Sequence, residues 1–132
     1  MRSADVGRRQ RAERSGRRGE DFAALLLTLK FYRIMERRQK SALGEIDLIA
    51  RSPSGIICFI EVKLRKSAVE LADAVTPRQR ARIARAAQHF LSLRPWLATA
   101  PVRFDIVTVG ALSWPRHVRD AWRPDDPGLW KG

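Results

Sequence analysis

The chain has 132 residues, with 26 Lys and Arg against 14 Asp and Glu, a formal net charge of +12. That length makes one domain able to bury a core without staples, and the cationic excess suits a polyanionic partner such as a nucleic acid, although charge alone carries no sequence readout. A single cysteine, Cys58, excludes an intramolecular disulfide and a Cys-based metal site, and no apolar run approaches the ~20 residues of a membrane span.

Residues 1–18 hold Arg2, Arg8, Arg9, Arg11, Arg14, Arg17 and Arg18 and almost nothing apolar, so a flexible N-terminal tail able to lie along phosphates is expected. This start lacks the apolar segment of a secretory signal and contains Asp5 and Glu13, unlike a transit peptide, so the expected compartment is the cytoplasm. From Gly19 the period becomes helical. Phe22, Leu25, Leu26 and Leu29 recur at three- and four-residue steps and are the expected core stripe, widened by Ala23, Ala24 and Leu27. Glu20, at the start of this helix, is either a carboxylate favoured by the helix dipole or a third acidic group of a site.

A turn and a strand around residues 33–38 lead into the most informative stretch, GEIDLIARSPSGIICFIEVK, residues 44–63. In its first run Ile46 and Leu48 alternate with Glu45 and Asp47, a period of two that puts Asp47 on the face opposite Ile46 and Leu48. Its second run, Ile56–Ile60, is apolar on every residue, as in a strand covered on both faces, and then presents Glu61 and Lys63 on one face. Pro53 and Gly55 between the runs supply a reversal, so an antiparallel hairpin is expected. It would bring Asp47 to the Glu61/Lys63 face. Two carboxylates so placed repel unless a proton, a metal or another cation offsets them, and oxygen ligands of this kind suit Mg²⁺ or Mn²⁺. Lys63 could orient a water or stabilise an oxyanion.

Residues 64–75 have weak helical character, after which Thr76-Pro77 signals a stronger helix to about Leu93. Ile83, Ala86, Ala87, Phe90 and Leu91 form its apolar stripe, and Arg78, Arg82, Arg85 and His89 form a second, cationic one. With no Asp or Glu between Arg78 and Arg94 the helix lacks ordinary intrahelical ion pairs, so Arg78, Arg82 and Arg85, with Arg65 upstream, are candidate nucleic-acid contacts. VRFDIVTV, residues 102–109, is a last strong strand, and its Asp105 is expected to pair with an Arg of the basic helix. Residues 111–132 hold Trp114, Trp122 and Trp130 among prolines and are expected to be an irregular tail lying against the domain; stacking of these rings on bases is the alternative. Cys58 reads as a small core residue. No Gly-rich phosphate loop, nucleophile elbow or Cys/His metal spacing appears.

The order helix, three strands, helix, strand, with an Asp on one strand and Glu-x-Lys on the next, resembles the core of the PD-(D/E)xK nuclease superfamily. More closely, GEIDLIA (44–50), FIEVKLR (59–65), AVTPRQRARIARAA (74–87) and VRFDIV (102–107) are similar to the YraN family of bacterial proteins, assigned as endonucleases. The likeness spans roughly residues 16–109. It implies an α/β restriction-endonuclease-like αβββαβ core with a mixed central sheet over residues 19–110, also similar to archaeal Holliday-junction resolvases. By the same resemblance Asp47, Glu61 and Glu20 would hold Mg²⁺ or Mn²⁺, and Lys63 would assist the attacking water. Leu64, where relatives often have a small or hydroxyl residue, and Glu36-Arg37-Arg38, in place of a frequent Asn-aromatic-Arg segment, depart from the pattern outside the acidic set. The expected function is metal-dependent hydrolysis of DNA. The second reading is a nuclease-fold DNA- or RNA-binding accessory in repair or recombination that does little chemistry. Symmetric junction cleavage would require a homodimer, for which no interface is legible.

Overall fold

Branched and aromatic side chains crowd several short segments, and these become strands because a pleated surface accommodates χ1-restricted residues that a helix penalises. The computed structural model describes residues 19–64, 75–110 and 114–124. It contains a five-stranded sheet in the order β1 (Arg33–Ser41), β2 (Gly44–Arg51), β3 (Ile57–Leu64), β4 (Val102–Val109) and β5 (Arg116–Trp122). β1, β2 and β3 pair antiparallel, β3 and β4 parallel, and β4 and β5 antiparallel. Parallel neighbours need a crossover. Helix α2 (Pro77–Ser92) lies in the one between β3 and β4, and helix α1, described over residues 19–29, precedes β1. The expected αβββαβ order and mixed sheet are therefore present, with one strand added.

Both faces of the sheet are covered, which explains the unbroken apolar run of β3. Ile49, Ile57, Phe59, Phe104 and Ile106 pack with Ile83, Ala87 and Phe90 of α2. On the other face Leu48, Ala50, Cys58, Ile60 and Val107 pack with Ala23 and Leu27 of α1. Burial pushes the Cys58 thiol up to about 12, leaving it a core residue and not a nucleophile. The start of α2 follows the Thr76-Pro77 signal: Thr76 Oγ1 accepts from the Gln79 amide at 3.2 Å, and Gln79 Oε1 accepts from the Thr76 amide at 3.0 Å.

Two expectations change. The sheet-facing stripe of α1 is Glu20, Ala23 and Leu27, whereas Phe22, Leu25 and Leu29 are more than half exposed. A helix apolar on nearly every side has no unique face to read from its period. Residues 116–122 are not irregular but form β5, whose Trp122 is buried against Phe104 with ring centroids 4.3 Å apart. Residues 1–18, Arg65, the rest of the weakly helical stretch through residue 74 and Trp130 lie outside the described residues. Among the described residues no helix is long and apolar enough to cross a membrane.

Candidate active site

β2 and β3 pair from Arg51↔Ile57 to Leu48↔Ile60 and then part, β2 continuing beside β1 to Gly44 and β3 beside β4 to Leu64. Asp47 stands at the point of divergence. Its Oδ2 accepts a hydrogen bond from the Val62 amide at 2.8 Å, so a side chain replaces a backbone carbonyl where the ladder ends. The alternation expected across Asp47 breaks here: Ile46 belongs to the α2-side core and Leu48 to the α1-side core. Across the gap in β1, between Arg37, which pairs with Leu48, and Gln39, which pairs with Ile46, lies Arg38 at φ +53°. A non-glycine residue held there costs about 1–3 kcal/mol and persists only where its surroundings enforce it, and such outliers concentrate at functional sites.

The fork gathers three of the four expected groups. Glu61 adjoins Asp47, each carboxyl acting on the other, and Lys63 Nζ lies 3.4 Å from Glu61 Oε1. The Glu61 and Lys63 side chains are only 17% and 21% exposed. Burial, then the charge of Asp47, push the Glu61 carboxyl up to about 7, against the opposing pull of Lys63. Burial likewise raises Asp47, reinforced by the charge of Glu20 and opposed by the Val62 amide. Both carboxyls thus hold a proton more tightly than usual.

The fourth group is turned aside. Glu20 Oε2 accepts from Arg38 Nε at 2.5 Å, so the third carboxylate is neighbour to the pair in electrostatic terms but engaged elsewhere. Among the described residues no three His, Cys, Asp or Glu side chains are disposed to hold a metal ion. Arg38, which feels Glu20, Glu45 and Asp47 together, is the site residue that sequence reasoning passed over. In a chain with 26 cationic residues, one more Arg gives no signal.

Arg78, Arg82, Arg85 and His89 are all exposed on α2. Arg82 approaches the hairpin carrying the fork: a Cβ added to Gly44, at φ +146°, would lie 2.8 Å from Arg82 Cγ. Gly44 is thus required both by its backbone and by that close contact.

Asp105 does not meet the basic helix. It is fully buried and bound through both oxygens by Arg103 of its own strand at 2.8 Å, by His117 Nε2 at 2.8 Å and by the Asp120 amide at 3.0 Å. Burial alone would raise its carboxyl, but the bonds from His117, Arg103 and Asp120 outweigh this and hold it below the ordinary range. Arg103 also donates to Tyr32 Oη at 2.7 Å, tying the strand to the end of α1. The expected partner was wrong because a residue two positions along the same strand, on the same face, needs no long-range approach.

The model of the uncharacterised protein family UPF0102 matches residues 19–109. A UPF0102 protein of Parvibaculum lavamentivorans is 46% identical over 113 residues, covering 86% of this chain and 84% of the relative. Another, of Paramagnetospirillum magneticum, is 45% identical over 130 residues, covering 95% of this chain and 100% of the relative. A third, of a Bradyrhizobium species, is 47% identical over 111 residues, covering 84% and 78%. All of α1 as described, the fork, α2 and β4 fall inside the matched span; β5 falls outside it.

Proposed function

The chain belongs to the UPF0102 family, and from that premise we propose that it is a cytoplasmic, divalent-metal-dependent endonuclease that hydrolyses DNA phosphodiester bonds. The observation that carries this reading is the contact between the Asp47 and Glu61 carboxyls, with Lys63 3.4 Å from Glu61, in a half-buried fork. Two carboxyls held together away from water need a positive partner, a proton or a cation. A hard cation with oxygen preference, Mg²⁺ or Mn²⁺, fits the same donor pair. Glu20 becomes the third ligand if its carboxylate exchanges Arg38 for the ion. Such an ion, when bound, neutralises charge on the scissile phosphate and lowers the pKa of a bound water.

The chain's own groups supply the rest. Lys63, held beside Glu61, can donate to the attacking water or to the phosphate oxygens, and its ammonium adds positive charge where negative charge accumulates. Arg78, Arg82 and Arg85 present guanidinium groups to the phosphate backbone, Arg82 from beside the hairpin that carries Asp47, and Arg65 is a further candidate contact. The likeness of Asp47, Glu61 and Lys63 to the PD-(D/E)xK signature supports the same assignment. Purified protein incubated with supercoiled, flapped and four-way-junction DNA and Mn²⁺ is expected to nick or linearise at least one substrate. Glu61→Ala should lower that rate by about 10³-fold, the scale on which loss of a charge-stabilising active-site group is felt. Equal products from both proteins would defeat the proposal.

A second reading, a nuclease-fold DNA- or RNA-binding accessory without chemistry, is favoured by one observation, the engagement of Glu20 by Arg38. Calorimetry separates the two. Divalent-ion binding that is lost in Asp47→Ala supports the enzyme, whereas salt-dependent DNA binding with no ion binding supports the accessory.

A further inference from the structure

A cavity of about 550 Å³ opens between α2 and the beginning of β4, walled by Ala84, Arg85, Gln88, Leu91, Phe104 and Trp122. It lies on the α2 side, toward the end of the sheet away from the fork. Phe104 pairs with Phe59 and Val102 with Ile57, and Ile57 is four residues upstream of Glu61, about 13 Å at the rise of a strand. The volume falls within the ~300–1,000 Å³ of small-ligand pockets. Neither the acidic fork nor the exposed arginine strip accounts for it.

Two properties of the walls specify a ligand. The walls are mainly apolar and include Phe104 and Trp122, whose rings stack with their planes 28° apart. At the rim stands Arg85, the last member of the exposed Arg78–Arg82–Arg85 strip, while the wall's acid, Asp120, is paired with Arg123 at 2.9 Å.

A flat, mainly apolar ring attached to an anion that stays outside meets both demands. We infer that this cavity receives a single unpaired nucleobase of the bound DNA, with its flanking phosphate on Arg85. The inference rests on the nucleic-acid reading above and refines it, because it names the substrate class as DNA with an extrahelical nucleotide. Withdrawing a base from a duplex costs a few kcal/mol and is least costly where the base is already unpaired, so a slot of this kind selects bulged or flapped DNA.

The test measures fluorescence anisotropy in EDTA with a fully paired duplex and the same duplex carrying one bulged thymine. Wild type should bind the bulged DNA about tenfold more tightly, the scale of one stacked base. Gln88→Trp, which fills the mouth from an exposed helix position, should reduce bulged-DNA affinity to the paired level while leaving paired-duplex affinity within about twofold. Equal wild-type affinity for both DNAs, or a preference that survives Gln88→Trp in the folded protein, overturns the base slot and leaves the nucleic-acid reading standing. Absence of binding to either DNA at low salt overturns both.

Discussion

Two buried acidic centres in this sheet are treated in opposite ways. Asp105, on β4, faces the Arg103 guanidinium, the His117 ring and a backbone amide, and its carboxyl is held below the ordinary range. Asp47 and Glu61, on β2 and β3, face each other, with Lys63 at 3.4 Å and one backbone amide to offset them, and both are raised. Both centres lie within a few residues of one another along paired strands, so burial alone does not decide the outcome. The number of donors does. A carboxylate supplied with donors on every side joins strands, whereas a pair left short of positive charge stores an affinity for a cation.

Removing Asp105 should therefore produce the largest loss of stability of any change considered in this Discussion. Asp105→Ala leaves Arg103 and His117 without their partner and should cost about 3–5 kcal/mol, read as a lower urea midpoint at pH 7. The pH dependence follows from the direction of the shift. A carboxyl whose folded value is depressed contributes stability above its unfolded value, near ~3.9, and loses it as pH falls through the folded value. Asp105→Ala should flatten the acid limb of the stability curve below about pH 4. An unchanged midpoint would erase the contrast between the two centres.

At the fork the sign reverses. With Glu61 near 7 in the fold and about 4.5 when free, the folded protein holds more protons between those values. Metal-free stability should therefore fall as pH rises through that window. Glu61→Gln removes the repulsion and should flatten this slope, leaving the variant about 1–2 kcal/mol more stable than wild type at pH 8, allowing for partial solvent screening. Mn²⁺ should raise the melting temperature of wild type at pH 8 but not at pH 5, and should leave Glu61→Gln unmoved. A variant less stable than wild type at pH 8 would show that Glu61 is an ordinary structural carboxylate.

The sequence displayed the fork more clearly than the Asp105 centre. GEIDLIA and FIEVK read as strands, and the conflict between apolar setting and acidic content marked Asp47 and Glu61 before any geometry was known. Thr76-Pro77 marked the start of α2 for the same reason, that a local interaction carries the signal. Asp105 misled because its partners lie at short range on its own strand and on β5, and β5 itself was hidden. RHVRDAW has charged residues or histidine in four of its seven positions and an Asp at φ +51°, so neither alternation nor β-propensity singles it out. The face of α1 was illegible because apolar residues surround the helix. The role of Arg38 depends on a left-handed backbone at a strand position, which no local residue pattern announces.

The third kind of charge has no ion pair among the described residues. Arg78, Arg82 and Arg85 are exposed on α2, and the strip contains no acid. Each contact with a DNA phosphate releases about 0.9 of a counterion, so replacing any of the three by Ala should make the slope of log K against log salt shallower by about 0.9. Arg78→Ala and Arg85→Ala should do so with melting temperatures within a degree or two of wild type, the small effect expected of surface changes. Arg82→Ala should behave differently, because its methylenes lie against Gly44 at the end of the β1–β2 hairpin. It should weaken DNA binding by the same increment and also lower the melting temperature by a few degrees through lost packing. Identical behaviour of all three variants would mean that Arg82 does not couple the cationic strip to the hairpin that carries Asp47.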